Sequence, residues 1–153
     1  MTADSQTPTP RTWRTWDEVE VGDPLGPLAF PLPLYRLVMA AGATRDFNAI
    51  HHNTDAARAS GASDAYANFT FLFGMWERTV REFTGPAGEL RQVRGFRMKS
   101  FNAAGDTPVV GGQVTRKWIE DGQALVEFSI ATQNAGRVSV GPGTVVVALP
   151  RQA

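Results

Sequence analysis

The sequence predicts a single α+β domain in which an antiparallel sheet wraps around one long, buried helix. Large apolar side chains recur at helical spacing between residues 69 and 83, and four segments of strand character follow them, separated by turn residues. The chain has 153 residues, of which 42% are hydrophobic, enough for the core of one compact domain. We predict this domain over residues 13–153, after a disordered tail over residues 1–12 that is polar and rich in Pro and Thr.

The composition excludes several classes of protein. Fifteen basic and fifteen acidic residues give a net charge of zero, which argues against a nucleic-acid-binding protein and against a polybasic membrane-surface protein. The chain has no cysteine, so disulfides, thiolate catalysis and cysteine-bound metals are excluded. No apolar stretch is long enough to cross a bilayer, and the polar start lacks the apolar core of a secretory signal. We expect a cytoplasmic protein that binds neither nucleic acid nor membrane.

The first part of the chain predicts a short strand and then a helix. The alternation of Leu28, Phe30 and Leu32 with smaller residues favours a strand. From Leu34 the apolar period is that of an amphipathic helix, which should end near Arg45. The stripe of this helix consists of Leu34, Leu37, Val38 and Ala41.

Residues 46–53 break all periodicity and are rich in side chains that bond polar groups, which predicts a loop. Asn53 or Thr54 could cap a short helix after this loop, and Gly61 should end that helix.

The clearest element is a helix that starts near Asn68 and stops at Gly85-Pro86. Its apolar residues follow helical spacing, and two more widen the apolar face, so we expect the helix to be largely buried. They are Phe69, Leu72, Phe73, Trp76, Val80 and Phe83, together with Phe71 and Met75.

The rest of the chain predicts an antiparallel meander. The candidate strands are residues 89–101, 109–119, 123–133 and 137–149. Turns at Asp106, Asp121-Gly122 and Ala135-Gly136 separate them, and Asp-Gly is a strong hairpin signal. The apolar run of Val145, Val146 and Val147 predicts a strand that is buried on both faces.

The loop at residues 46–53 contains side chains that can handle a water molecule. Asp46 precedes His51 in this loop, and His51 is adjacent to the only other histidine, His52. A carboxylate and an imidazole held together can position a water and move its proton. The spacing is equally compatible with Asp46 as a cap and the histidines as surface residues. A metal site is not expected, because two histidines and scattered carboxylates supply no closed ligand set.

The start of the central helix can stabilise negative charge, because free N–H groups and the positive end of the helix dipole meet there. Asn68 stands at this start and can act as an N-cap, as a donor of such an N–H, or as both. Tyr66 and Phe69 flank it, and we predict that they line a ligand pocket.

Several basic residues fall on the strand predicted at residues 89–101. They are Arg91, Arg94, Arg97 and Lys99, and Arg116 and Lys117 lie on the next strand. Alternation along the strand would send Arg97 and Lys99 to the face opposite Arg94. These residues either contact a phosphorylated ligand or form a solvated strand surface.

The segment from Ala43 to Asn53 resembles the motif Gly-Asp-x-Asn-Pro-x-His of the MaoC-like dehydratases, also called the (R)-specific enoyl-CoA hydratase group. Asp46, Asn48 and His51 match this motif, whereas Arg45 and Ala49 replace its Gly and Pro. Further segments that look like the family are residues 16–23, 105–107, 133–136 and 143–150, so the resemblance covers most of the chain. The run of His51-His52, Asp55, Gly61, Asp64 and Asn68 is similar to the small subunits of actinobacterial steroid side-chain hydratases.

The resemblance implies a hot-dog fold and an enzyme that adds water to a trans-2-enoyl-CoA thioester, with Asp46 and His51 as the catalytic pair. It also implies that the backbone N–H of Asn68, at a position where the family usually has Gly, contacts the thioester oxygen. The thioester, of CoA or of an acyl carrier protein and with a steroid side-chain or fatty acyl group, is then the substrate, and no cofactor is expected. The predicted substrate-binding residues are Asn48, Tyr66, Asn68, Phe69 and Arg97.

The resemblance further implies a dimer of hot-dog folds. This is either a homodimer or a heteromer, and in the similar heteromers the second hot-dog chain lacks the catalytic pair.

Two other functions are compatible with this fold. A hot-dog thioesterase usually draws a carboxylate from the central helix, and Glu77 lies on that helix, although its neighbours Trp76 and Arg78 favour an exposed or ion-paired residue. A chain that only binds an acyl group within a heteromer would not need both Asp46 and His51. A chain that has both could still be inactive until its partner completes the pocket.

Overall fold

The computed structural model describes residues 13–152, and the tail predicted over residues 1–12 lies outside this part. Within it the chain forms α1 (Leu34–Thr44), α2 (Thr54–Ala59) and α3 (Phe69–Thr84), together with β1 (Pro24–Ala29), β2 (Glu89–Arg94), β3 (Val109–Glu120), β4 (Gln123–Asn134) and β5 (Arg137–Ala148). Two short 3-10 turns cover Trp16–Glu18 and Ala49–His51. No helix among residues 13–152 is both long and apolar enough to span a membrane.

The five strands form one antiparallel sheet in the order β1-β3-β4-β5-β2. Two tight hairpins join β3 to β4 and β4 to β5. Asp121 and Gly122 have φ values of 49° and 76°, and Ala135 and Gly136 have φ values of 48° and 75°. Positive φ at both central residues is what a two-residue hairpin turn requires. The predicted α+β class and the turns predicted at Asp121-Gly122 and Ala135-Gly136 are confirmed.

Helix α3 packs one face against the sheet and forms the centre of the core. Its buried residues are Leu72, Met75, Trp76, Thr79, Val80 and Thr84. The indole Nε1 of Trp76 donates a hydrogen bond to Thr132 Oγ1 at 2.8 Å, so the largest buried side chain is also satisfied as a polar group. Residues 145–147 of β5 are all buried, which confirms the prediction of a strand covered on both faces.

The strand predicted over residues 89–101 is wrong in its second half, because β2 ends at Arg94. Gly95 follows with φ 69°, and a Cβ at this position would lie 3.0 Å from the backbone of Gly143. The positive φ and the close approach turn the chain out of the ladder. Beyond Gly95 the segment keeps an isolated bridge of Met98 to Val140 and backbone hydrogen bonds to β5, while Phe96 packs against Phe69 and Phe73 of α3. The predicted alternation of side chains, which would send Arg97 and Lys99 to the face opposite Arg94, therefore does not apply.

The short strand predicted from Leu28, Phe30 and Leu32 is displaced toward the N-terminus, because β1 covers Pro24–Ala29 and includes only Leu28. Beyond β1 the backbone N–H of Phe30 still donates to Pro108 O, and that of Leu32 donates to Asp106 O, each at 2.9 Å. The apolar alternation thus continues into an irregular segment whose side chains face the core.

Candidate active site

The predicted loop at residues 46–53 leaves α1 through a left-handed residue. Arg45 is the C-cap of α1 with φ 56°, a conformation that costs a non-glycine residue about 1 kcal/mol. The backbone N–H of Asp46 then donates to Ala41 O at 3.0 Å, which turns the chain back over the end of the helix. A glycine would adopt the conformation of residue 45 without this cost, which gives a physical reason for the glycine of the motif.

His51 stands at the end of the 3-10 turn Ala49–His51, and Asn48 caps this turn. Asn48 Oδ1 accepts from the Ile50 N–H at 3.3 Å, and Asn48 O accepts from the His51 N–H at 3.1 Å. The Asn48 side chain, predicted to bind substrate, therefore supports the turn that carries His51. His51 is 8% exposed, whereas its neighbour His52 is exposed and faces Phe47 O.

The structure brings Asp46 and His51 together. His51 Nε2 lies 3.2 Å from Asp46 Oδ2, and the Asp46 side chain is 41% exposed. His51 Nδ1 lies 2.8 Å from Tyr66 O, and a carbonyl oxygen only accepts hydrogen bonds, so Nδ1 carries a proton. The edge of the Tyr66 ring also contacts the imidazole. Tyr66 thereby holds the His51 ring with Nε2 directed at the carboxylate.

Asp64 orders the segment that leads from α2 to α3. Its Oδ1 accepts from Thr54 Oγ1 at 2.6 Å and from the Ala65 N–H at 2.7 Å. The Thr54 hydroxyl, and after it the Ala65 N–H, hold the pKa of the Asp64 carboxyl below its ordinary value. The carboxylate form thus fastens this segment to the start of α2.

Asn68 is the N-cap of α3, as predicted, and both ends of its side chain contact protein atoms. Asn68 Oδ1 accepts from the Phe71 N–H at 2.9 Å, while Asn68 Nδ2 donates to Thr44 Oγ1 at 2.7 Å. The side chain therefore ties the end of α1, two residues before Asp46, to the start of α3. Asn68 is 3% exposed, and among residues 13–152 its backbone N–H has no acceptor.

We expect Asn68→Ala to lower the free energy of unfolding by about 2 kcal/mol, about half from the lost cap and half from the lost bond to Thr44. Thr44→Val keeps the cap and removes the bond to Asn68, together with the bond that Thr44 Oγ1 donates to Ala40 O at 2.8 Å within α1, and should cost about 1 kcal/mol. Urea denaturation of the three proteins measures both values. Equal stability of Asn68→Ala and the unchanged protein would contradict this account of the side chain.

A cavity of about 310 Å³ lies beside the start of α3. It is lined by Tyr66, Ala67, Leu72, Met98, Lys99, Ser100, Phe101 and Asn102. Tyr66 thus borders this cavity, while its contact with a substrate stays a prediction. Phe69 does not line this cavity; its exposed ring packs on Phe73 and Phe96.

The basic residues predicted on two neighbouring strands fall into separate groups in the structure, and Arg91, Arg94 and Arg116 border one cleft on the sheet. Arg91 pairs with Glu89 at 2.6 Å, and Lys117 Nζ donates to the carbonyl oxygens of Trp16 and Val19. Arg97 and Lys99 lie on the exposed segment after β2, and Lys99 borders the cavity. Of the basic residues named here, Lys99 is the one that borders the cavity beside α3, whereas Lys117 has a structural role.

The carboxylate that the thioesterase hypothesis would use already has a partner. Glu77 on α3 pairs with Arg81, whose Nε lies 2.9 Å from Glu77 Oε1, as its neighbours in sequence indicate. Within residues 13–152 no three His, Asp or Glu side chains converge as ligands for a metal ion.

Sequence reasoning missed Thr44 and Asn102. Thr44 matters through Asn68, which is distant in sequence, and Asn102 falls in a segment that was predicted to be a turn region after a strand. Thr44 lies in the segment Ala43–Asn53 that resembles the family motif, whereas Asn102 belongs to no recognisable motif.

Comparison with known proteins gives no match to a family model. The chain is 34% identical over 91 residues to the 3-oxo-4,17-pregnadiene-20-carboxyl-CoA hydratase beta subunit of Mycobacterium tuberculosis, a match that covers 60% of this chain and 68% of that protein. Among solved structures, a chain of the ChsH1-ChsH2 complex from Mycobacterium tuberculosis superposes with a TM-score of 0.76 at 30% identity, over 85% of this chain and 98% of that chain.

The MaoC-like dehydratase from Rhodospirillum rubrum superposes with a TM-score of 0.77 over 92% of this chain and 99% of that chain. At 18% identity this likeness shows the fold alone. Together the structural matches show that the sheet and α3 form a hot-dog fold, as expected.

Proposed function

Because this chain belongs to the MaoC-like family of hydratases and dehydratases, we propose that it adds water to the double bond of a trans-2-enoyl-CoA thioester. The observation that carries this proposal is the approach of His51 Nε2 to Asp46 Oδ2, at 3.2 Å, next to the N-terminal end of α3. This arrangement combines a pair that handles water with a site that stabilises negative charge on oxygen.

The hydrogen bond between His51 Nδ1 and Tyr66 O supports the binding of a water molecule at the other ring nitrogen. A ring that carries its one proton on Nδ1 offers a lone pair at Nε2, and the Asp46 carboxylate offers only acceptor oxygens. A water that donates one hydrogen to each group satisfies both. Its oxygen then faces away from the pair, with a lone pair available for attack on C3 of the substrate.

The proposed reaction balances without another reactant. The water oxygen bonds to C3 and loses a proton to the pair, while the electrons of the C2=C3 bond shift toward the thioester oxygen. The pair returns one proton to C2, so that the elements of water are added overall. The backbone N–H of Asn68, at the positive end of the α3 dipole, stabilises the negative oxygen.

We propose a large acyl group, of the steroid side-chain class, for this substrate. The Mycobacterium tuberculosis relative is a hydratase of a steroid-derived CoA thioester by its name. The exposed cations Arg97 and Lys99 are suited to the phosphates of CoA, which are anionic and remain in solvent.

We also propose that the chain works in a dimer of hot-dog folds, either with a second copy or with a different hot-dog chain. The relative is named a beta subunit, and the similar solved chain belongs to a complex. This chain exposes several large apolar side chains, which are typical of a surface that another chain covers. They are Tyr35, Met39, Phe47, Phe69, Met98 and Phe101.

The hydration itself is tested by the loss of enoyl-thioester absorbance when the purified chain meets crotonyl-CoA, trans-2-octenoyl-CoA and a steroid side-chain enoyl-CoA. We expect turnover of at least one of them, by the chain alone or after co-expression with a hot-dog partner. Release of free CoA from octanoyl-CoA distinguishes a thioesterase, and we expect none because Glu77 is paired with Arg81. CoA release without hydration would contradict the proposal.

A further inference from the structure

Thr54 and Asp64 close a loop of contacts around the histidine of the candidate active site. One carboxylate oxygen, Asp64 Oδ1, accepts from Thr54 Oγ1 at 2.6 Å and from the Ala65 N–H at 2.7 Å. Thr54 is the first residue of α2 and follows shortly after His51 in the chain. Ala65 precedes Tyr66, whose carbonyl oxygen lies 2.8 Å from His51 Nδ1. Residues 51–54 and 64–66 thus form a bracket whose two halves are joined at both ends.

The side chain of Asp64 makes the shortest hydrogen bond between the two halves of the bracket. The Tyr66 N–H donates to Ile50 O at 3.3 Å, and further backbone bonds tie residues 65–67 to residues 102–104, outside the bracket. The hydroxyl and the backbone N–H that donate to Asp64 hold the pKa of its carboxyl below the ordinary value. The carboxylate that joins the two halves is therefore present at neutral pH.

The bracket bears on the property of His51 that the proposed reaction uses. Which nitrogen of an imidazole carries the proton depends on the hydrogen bonds of the ring, and a carbonyl oxygen at Nδ1 keeps a proton there. Tyr66 O occupies this place, while Asp46 Oδ2 lies 3.2 Å from Nε2 on the other side of the ring. A displacement of Tyr66 O would therefore change both the tautomer of His51 and the direction in which Nε2 faces.

We propose that Thr54 and Asp64 are positioning residues of the candidate active site. They hold Tyr66 O at the place where it keeps a proton on His51 Nδ1. The lone pair of Nε2 is then left for the water that the Asp46 carboxylate also binds. This inference rests on the proposed function, since it gives His51 the role of proton acceptor. Thr54 and Asp64 act through the histidine and do not need to touch the substrate.

Thr54→Val is the first test, because valine has the shape of threonine without its hydroxyl. In the form of the protein that is active, we expect this variant to lower kcat for enoyl-CoA hydration by about 10- to 10²-fold, the cost of a small misplacement of a catalytic group. KM should stay within about two-fold, because an interaction that serves only the transition state is lost. Thr54→Ser keeps the hydroxyl and should restore most of the rate.

A second pair of variants changes the other half of the bracket. Asp64→Ala removes the acceptor of both hydrogen bonds, so its kcat should fall at least as far as that of Thr54→Val. Asp64→Asn keeps an acceptor oxygen of nearly the same geometry and should retain more of the rate than Asp64→Ala. Asp55→Asn is the matched control, because this exposed carboxylate is next to Thr54 and outside the bracket; its kcat should be unchanged.

The tautomer of His51 can be read without any catalysis. The chain has two histidines, so protein labelled with ¹⁵N-histidine gives nuclear magnetic resonance signals from two imidazole rings, and His52→Ala assigns them. At a pH where the ring carries one proton, His51 Nδ1 should have the chemical shift of a protonated nitrogen and Nε2 that of an unprotonated one. In Thr54→Val and Asp64→Ala both shifts should move toward the intermediate values of a mixture of tautomers.

The outcomes separate this inference from the proposed function. Unchanged rates of hydration in Thr54→Val and Asp64→Ala would overturn the inference, whatever the spectra show, and leave the hydratase standing. A lower kcat together with a lower melting temperature and unchanged His51 signals would also overturn it, because the two residues would then only stabilise the fold. If the unchanged protein hydrates nothing, the spectra decide: moved His51 signals in both variants support the inference, and unchanged signals refute it.

Discussion

His51→Ala should lower kcat/KM for enoyl-CoA hydration by about 10²- to 10⁴-fold, the range that general acid–base catalysis contributes. The imidazole is buried, and its Nδ1 is bound to Tyr66 O at 2.8 Å, so Nε2 is the atom left for the water. Alanine removes the acceptor and leaves Asp46 alone to orient the water. Initial rates of enoyl-thioester absorbance loss, at several substrate concentrations, measure the effect on kcat and KM separately.

The matched control is His52→Ala, because His52 is the next residue and the only other histidine. It is exposed, and its Nε2 lies 3.3 Å from Phe47 O, away from Asp46. We expect this variant to keep near-normal activity and stability. Activity retained by His51→Ala, or lost equally in both variants, would refute the assignment of His51.

Asp46→Asn should lower kcat/KM by a similar factor of about 10²- to 10⁴-fold. The amide has nearly the same size, but it replaces one acceptor oxygen by an NH₂ group and removes the negative charge that would stabilise the imidazolium formed when His51 takes the proton of the water. The water then loses either its second acceptor or its orientation. Because the side chain of Asp46 is 41% exposed, the substitution should leave the melting temperature nearly unchanged.

Two comparisons make this prediction specific. The double variant of Asp46→Asn and His51→Ala should be no worse than the more damaged single variant, because groups that act as a unit are not additive. Asp55→Asn, at an exposed carboxylate in the first turn of α2, should leave the rate unchanged. Losses that multiply in the double variant would show that Asp46 and His51 act independently.

Much of the fold could be predicted from the sequence, because the signals for these elements are local. The apolar period of α3, its cap at Asn68 and its end at Gly85 are each set by residues within a few positions of one another. The hairpins at Asp121-Gly122 and Ala135-Gly136 depend on backbone conformations that these residues adopt readily. Asp46 and His51 fall in one loop, so their proximity was also a local expectation.

The tertiary structure alone decided which long-range contacts these residues make. The apolar pattern of residues 89–101 does not reveal that β2 ends at Arg94, because the space around Gly95 is limited by the backbone of β5, which is distant in the chain. The bond of Asn68 to Thr44 and the contact of Asn102 with Ser139 join residues far apart in the chain. Periodicity and turn chemistry determine elements, whereas the partner of a buried polar atom depends on which distant segments pack around it.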